Sequence, residues 1–195
     1  MVEYHPRTAL LVVDVQNDFA DPNGSLYVKG GEEVVPVAND EIERAVGAGA
    51  LVAYTQDWHP ASTPHFHKDG GIWPVHCVQD TWGSDLHPGL KVADGEHIRK
   101  GSGGEDAYSA FSVRDPTSGE TSSTRLERIL RERGIERVVV CGLATDYCVV
   151  ETALDARRLG FEATVLTGAI RAVDLQPGDG DRALERMRAA GAEEA

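Results

Sequence analysis

The chain has 195 residues, 32 of them acidic against 19 basic, a net charge of −13, 41% hydrophobic and 26% charged residues. That balance excludes nucleic acid or an anionic membrane as the main partner, and three cysteines in a chain this long exclude a disulfide framework. One domain with a full core is expected over residues 1–195 in a reducing, cytoplasmic setting, because nothing reads as a signal peptide and no apolar run approaches the ~20 residues of a membrane span.

In chain order, Ala9-Leu10-Leu11-Val12-Val13 is a continuous apolar run ending at Asp14. This is the pattern of a strand buried on both faces, with a carboxylate at its C-terminal end. Ala38, Ile42, Ala45 and Val46 recur at helical spacing, and Gly47 and Gly49 close that helix. Leu51 to Thr55 is a second buried strand, opening into Gln56-Asp57-Trp58-His59-Pro60. Residues 56–97 form a long loop in which five of the seven histidines fall between positions 59 and 87, together with all three tryptophans. A loop of this length and composition reads as functional. Glu96 to Lys100 is a short strand, followed by a polar loop with Tyr108, Phe111 and a turn near Asp115-Pro116. Thr124-Arg125-Leu126-Glu127 has the form of a capping box. It opens a helix with Leu126, Ile129 and Leu130 inward and Gly134 at its end. Val138 to Gly142 and Ala163 to Thr167 are further buried strands, and a last helix covers about 181–190 with Ala183, Leu184 and Met187 inward.

Strands alternating with helices imply an α/β fold, a mainly parallel sheet flanked by helices on both faces. Ligands of such sheets sit outside the carboxyl ends of the strands. Asp14, Asp57, Lys100 and the turn leading to Cys148 all fall at that edge. With Thr145 as N-cap, Cys148 takes the third helical position, where the helix dipole eases ionisation and unpaired N–H groups can hold an oxyanion. A cysteine there is either a small buried apolar residue or a nucleophile. The company of a carboxylate and a lysine favours the nucleophile over a solvated strand-end acid and a snorkelling lysine. Asp14 can take the thiol proton and Lys100 can favour the thiolate, a set suited to attack on a carbonyl. Asp57 and His59, two apart on an extended segment, face the same side. With His65 and His76 they suit one divalent ion such as Zn, Fe or Mn. His67 and His87 read as surface residues, and Cys77 as core rather than as a soft ligand.

Five segments carry a resemblance: Leu11-Val12-Val13-Asp14-Val15-Gln16-Asn17-Asp18-Phe19, Asp57-Trp58-His59-Pro60, Trp73-Pro74-Val75-His76-Cys77, Lys100-Gly101 and Gly142-Leu143-Ala144-Thr145-Asp146-Tyr147-Cys148-Val149. They resemble the isochorismatase-like cysteine hydrolases, and within them the nicotinamidase (pyrazinamidase) branch. The C-terminal Arg171-Ala172-Val173-Asp174 and Pro177-Gly178-Asp179 are similar to the family's last segment. The resemblance implies a Rossmann-type three-layer sandwich and a catalytic triad of Asp14, Lys100 and Cys148. It implies metal ligands Asp57, His59 and His76, with His65 at a position where some members place a further histidine and others a glutamate. It also implies Phe19 and Trp73 on the two faces of a pyridine ring. A cis peptide at Leu143–Ala144 would aim the N–H of Ala144, with that of Cys148, at the oxyanion. The implied activity is hydrolysis of nicotinamide to nicotinate and ammonia through a Cys148 thioester, in NAD salvage. Two alternatives stay open: another amidohydrolase of the superfamily with a ureido or carbamoyl substrate, and a catalytically silent pyridine-binding module. The expected partners are the small-molecule substrate and, at most, further copies of the chain.

Overall fold

The computed structural model describes residues 2–195. Strands β1 (Thr8–Val13), β2 (Leu51–Asp57), β3 (Glu96–Lys100), β6 (Arg137–Leu143), β7 (Glu162–Arg171) and β8 (Glu193–Glu194) form one sheet in the order β3-β2-β1-β6-β7-β8. All of its pairings are parallel. Alternate residues of β1 explain why its run is apolar throughout. Leu11 and Val13 pack with Leu126, Leu130, Val150 and Met187, from helices α3 (Leu126–Glu132), α4 (Val150–Arg158) and α5 (Asp179–Ala189). Leu10 and Val12 point to the other face, against Val35, Ala38 and Ile42 of α2 (Val34–Gly47). Among the described residues no helix is long and apolar enough to cross a membrane.

The topology decides which residues meet. The chain lays β1, β2 and β3 side by side, then returns to place β6 on the other flank of β1. The crevice of such a sheet opens at this reversal. Val13 lies opposite Gly142, and Asp57 lies opposite Lys100. The residues just past β1 and β6 and the ends of β2 and β3 therefore gather at one place on the sheet edge.

The long loop is held by the short helix α1 (Asn17–Ala20) and the residue before it. Gln16 Nε2 donates to the carbonyls of Asp57 and Ser84 at 2.8 and 2.9 Å, and its Oε1 accepts from Asp57 N–H at 2.8 Å. Asn17 Nδ2 donates to Trp82 O at 2.8 Å, and Asp18 Oδ2 accepts from Cys77 N–H at 2.7 Å. A loop with little regular structure of its own is thus paired to a rigid element by side chains.

Several local expectations need correction. Thr145 is not the N-cap. The extended residue outside the helix is Ala144, whose carbonyl accepts from Tyr147 and Val149 N–H at 3.1 and 3.0 Å. Residues Thr145–Val149 form a π-type turn before α4, and Cys148 is its fourth residue. Only half of the capping box forms. Thr124 Oγ1 accepts from Leu126 N–H at 3.2 Å, but Glu127 turns to Arg131, because Phe111 O has already taken Thr124 N–H. The last helix starts earlier, at Asp179, and Val46 is half exposed rather than inward. The polar loop around Asp115 contains a small hairpin, β4 (Ser112–Arg114) with β5 (Thr121–Ser123).

Gly142 marks the end of β6 with φ of 117°, and a Cβ there would strike the carbonyl of Val13 on the neighbouring strand. Gly142→Ala should therefore destabilise the protein by about 2 kcal/mol or more, from backbone strain and the shift of β1. A urea-denaturation midpoint unchanged from the parent would contradict this account of the turn.

Candidate active site and metal centre

Lys100 ends β3 and is fully buried. Its ammonium has three protons to donate, and three oxygens receive them. Asp14 Oδ2 lies at 2.7 Å, the carbonyl of Ala107 at 2.5 Å, and Asp57 Oδ1 makes the third, shorter contact. The Cys148 sulfur stands 3.6 Å from the same nitrogen. Asp14 sits just past β1 with φ of 50°, and its other oxygen accepts from Thr55 Oγ1 at 2.5 Å. One atom each from Asp14, Asp57 and Cys148 lies within 4.8 Å of the others. Asp14, Lys100 and Cys148 are thus brought together, with Asp57 joined to them through the lysine.

One cation among two carboxylates leaves the cluster one negative charge in excess. Burial raises the Asp14 carboxyl and Asp57 adds to the rise, while Lys100 opposes it. Burial acts the same way on Asp57, but the Lys100 charge and the neighbouring His59 outweigh it and hold Asp57 well below the usual carboxylate range. Burial pushes the Cys148 thiol up against the pull of Lys100. Cys148 therefore rests as a thiol beside a carboxylate of raised proton affinity. The easing of ionisation expected from the helix end is overridden by burial among acids.

Behind Asp57 lie the histidines. One ring nitrogen each of His59, His65 and His76 falls within 4.8 Å of the others, and all three residues are buried. Asp57 Oδ2 faces them, 3.8 Å from His59 Nε2 and 4.0 Å from His76 Nε2. Burial lowers the pKa of His65 and takes that of His76 down to about 4, so both are neutral at pH 7 with a lone pair to give. Both ring nitrogens of His59 are buried without a hydrogen-bond partner among the described residues. An unpaired buried imidazole is costly, and neutral imidazoles facing a carboxylate oxygen fit a divalent ion. Gly101 permits this packing, since a Cβ there would come within 2.7 Å of the His59 ring.

A cleft opens over both groups. Phe19 and Trp73 line it with Ala144 and Cys148, and Tyr108 and Tyr147 line it too. Trp73 Nε1 donates to Tyr108 OH at 2.8 Å, and the Trp73 and Tyr147 rings meet edge to face at 4.8 Å. Leu143–Ala144 is a cis peptide. Cys77 lies in the core, its sulfur 3.7 Å from Gly83 O, and His67 is exposed while His87 is partly covered. Sequence reasoning missed Thr55, Asp106 and the two tyrosines. Only Tyr108, an aromatic in a polar loop after Lys100, carried a signal.

A family model for the isochorismatase domain matches residues 8–194. The chain belongs to the isochorismatase family. Within that family it is similar to the nicotinamidase of Escherichia coli strain K12, 40% identical over 204 residues spanning 96% of this chain and 93% of the other. Among solved structures it is similar to the pyrazinamidase of Pyrococcus horikoshii in complex with zinc, with 40% identity, a TM-score of 0.87, and 97% and 99% of the two chains covered. It is also similar to PnC1 from L. infantum in complex with nicotinate, with 37% identity, a TM-score of 0.88, and 100% and 95% covered. The likeness puts it in the nicotinamidase/pyrazinamidase branch. Family relatives also include a probable inactive nicotinamidase of Arabidopsis thaliana, 30% identical over 88% of this chain, and a ureidoacrylate amidohydrolase of Azorhizobium caulinodans, 27% identical over 84%.

Cys148 lines the cleft, whereas Cys77 and Cys141 are fully buried in the core. Iodoacetamide should therefore label Cys148 first. Because its pKa lies well above that of a free thiol, the thiolate fraction, and with it the labelling rate, should rise about tenfold per pH unit between pH 7 and 9. A rate independent of pH would mean that the thiol is already ionised at rest.

Proposed function

We propose that this protein is a nicotinamidase, hydrolysing nicotinamide to nicotinate and ammonia. The observation that carries the reading is the position of Asp57. One oxygen is bound to the lysine of the Asp-Lys-Cys cluster and the other faces the histidine cluster, beneath an aromatic cleft. Amide-cutting groups and a candidate ring-nitrogen anchor are thereby set at a fixed spacing. A ureido or carbamoyl substrate would make no use of the histidines, and a silent binding module would make no use of the Asp14–Lys100–Cys148 cluster.

The residues that would hold the metal are Asp57, His59, His65 and His76. When bound, it supplies a Lewis-acidic position for the lone pair of a pyridine nitrogen. The ring would lie between Phe19 and Trp73. Asp14 accepts the thiol proton as the Cys148 sulfur forms its bond to the carboxamide carbon. The carbonyl electron pair moves onto oxygen, which the amides of Ala144 and Cys148 hold, worth about 3–4 kcal/mol per donor in comparable sites. The C–N bond then breaks and Asp14 returns the proton to the departing ammonia. Water, deprotonated by Asp14, opens the thioester, and the proton goes back to sulfur. Burial raises the Asp14 carboxyl, which makes its carboxylate a stronger base toward the thiol than a free one. Lys100 keeps its charge beside the sulfur throughout.

Asp14→Asn keeps the shape but accepts no proton from the thiol. It should lower kcat by at least ~100-fold with the far-UV spectrum little changed. A variant with near-parental kcat would leave Asp14 a structural residue.

Benzamide has the same scissile group and nearly the same shape, but no ring lone pair. Nicotinamide should be hydrolysed at least ~100-fold more efficiently, equivalent to about 2.7 kcal/mol of transition-state discrimination. Chelation should cost nicotinamide far more than benzamide, because a ring not anchored drifts from attack geometry. The measurement is kcat/KM for both amides with and without chelator. Equal values, or equal losses, would point to another amide.

A further inference from the structure

The three clustered histidines are oriented by different means. His76 Nδ1 lies 2.7 Å from the carbonyl of Pro74, a backbone acceptor that does not depend on a side chain. His59 has no hydrogen-bond partner at either nitrogen among the described residues. Only His65 is held by a side chain, its Nδ1 lying 2.7 Å from Oδ1 of Asp106. An ionised carboxylate accepts and does not donate, so the proton of the neutral His65 ring is on Nδ1 and the lone pair is on Nε2.

Asp106 is itself seated firmly. Its N–H donates to Arg114 O, and Arg114 N–H donates to its carbonyl, both at 2.8 Å, which ties it to the β4–β5 hairpin. Thr63 Oγ1, two residues before His65, donates to Gly104 O at 2.8 Å, joining the histidine loop to the segment that carries Asp106. The ring is thus steadied from its own loop and from the facing one.

We propose that Asp106 is a positioning residue for the metal site, fixing the tautomer and orientation of His65 so that Nε2 is the atom offered to a divalent ion of the zinc class. The proposal rests on the metal reading above. Acceptors behind ligating histidines typically contribute 10–100-fold in metal affinity. The test is Zn²⁺ affinity by chelator competition for the parent, Asp106→Ala, Asp106→Asn and His59→Ala, with the visible spectrum of the Co²⁺-loaded proteins. Asp106→Ala should weaken Zn²⁺ by 10–100-fold and shift the Co²⁺ bands. Asp106→Asn, whose amide oxygen still accepts from Nδ1–H, should lose less. The thermal midpoint of metal-free Asp106→Ala should match the parent, because the pairing with Arg114 uses only backbone. If His59→Ala abolishes Zn²⁺ binding while Asp106→Ala and Asp106→Asn keep parental affinity and spectrum, the role of Asp106 is overturned and the metal reading stands. A metal-free Asp106→Ala that is itself destabilised would assign Asp106 a structural role instead and overturn the proposal. His59→Ala with parental Zn²⁺ affinity would overturn the metal reading and this proposal together.

Discussion

A buried ammonium is expensive to desolvate unless each proton finds an acceptor, and Lys100 is where this structure meets that demand. Its three acceptors come from the end of β1, the end of β2 and the loop after β3. The sheet edge must therefore assemble as a unit, since a missing partner would leave a buried charge unsatisfied. The same contacts set the chemistry. Two carboxylates around one cation leave an excess of negative charge, which adds to burial in raising both the Asp14 carboxyl and the Cys148 thiol. The geometry that satisfies the lysine thus sets a carboxylate of raised proton affinity beside a thiol.

The excess charge links the two halves of the site. Asp57 spends one oxygen on Lys100 and turns the other to the histidines. A divalent ion among those imidazoles would offset the charge that Lys100 alone does not neutralise, and would satisfy His59, which has no hydrogen-bond partner. Asp57 thus touches both the Asp14–Lys100–Cys148 cluster and the candidate metal centre, and a change in one is felt electrostatically by the other.

Residues 16–18 show how a loop with little regular structure becomes a precise wall. Gln16, Asn17 and Asp18 stand directly after the strand that carries Asp14, and they bind backbone groups of Asp57, Trp82, Ser84 and Cys77. The strand end that carries Asp14 and the loop that carries the clustered histidines are therefore positioned from one short segment. Phe19, next in the chain, lines the cleft.

The parallel sheet, its buried strands, and the candidate residues Asp14, Lys100, Cys148, Asp57, His59, His65 and His76 were legible in the sequence. Apolar periodicity is local, and short motifs carry their residue types with them. The sequence also carried enough to suggest an α/β edge as the place of chemistry. What it did not carry was partnership across distance. That Lys100 bonds Asp57 as well as Asp14, that Thr55 holds Asp14, and that Asp106 holds His65 are contacts over 41 to 86 residues. They arise only once strand order puts β2 between β1 and β3 and register sets Asp57 against Lys100. The protonation of Cys148 was likewise a tertiary matter. The helix end argued for a thiolate, but burial beside two carboxylates raised the thiol pKa, because desolvation and charge depend on neighbours in space rather than in sequence.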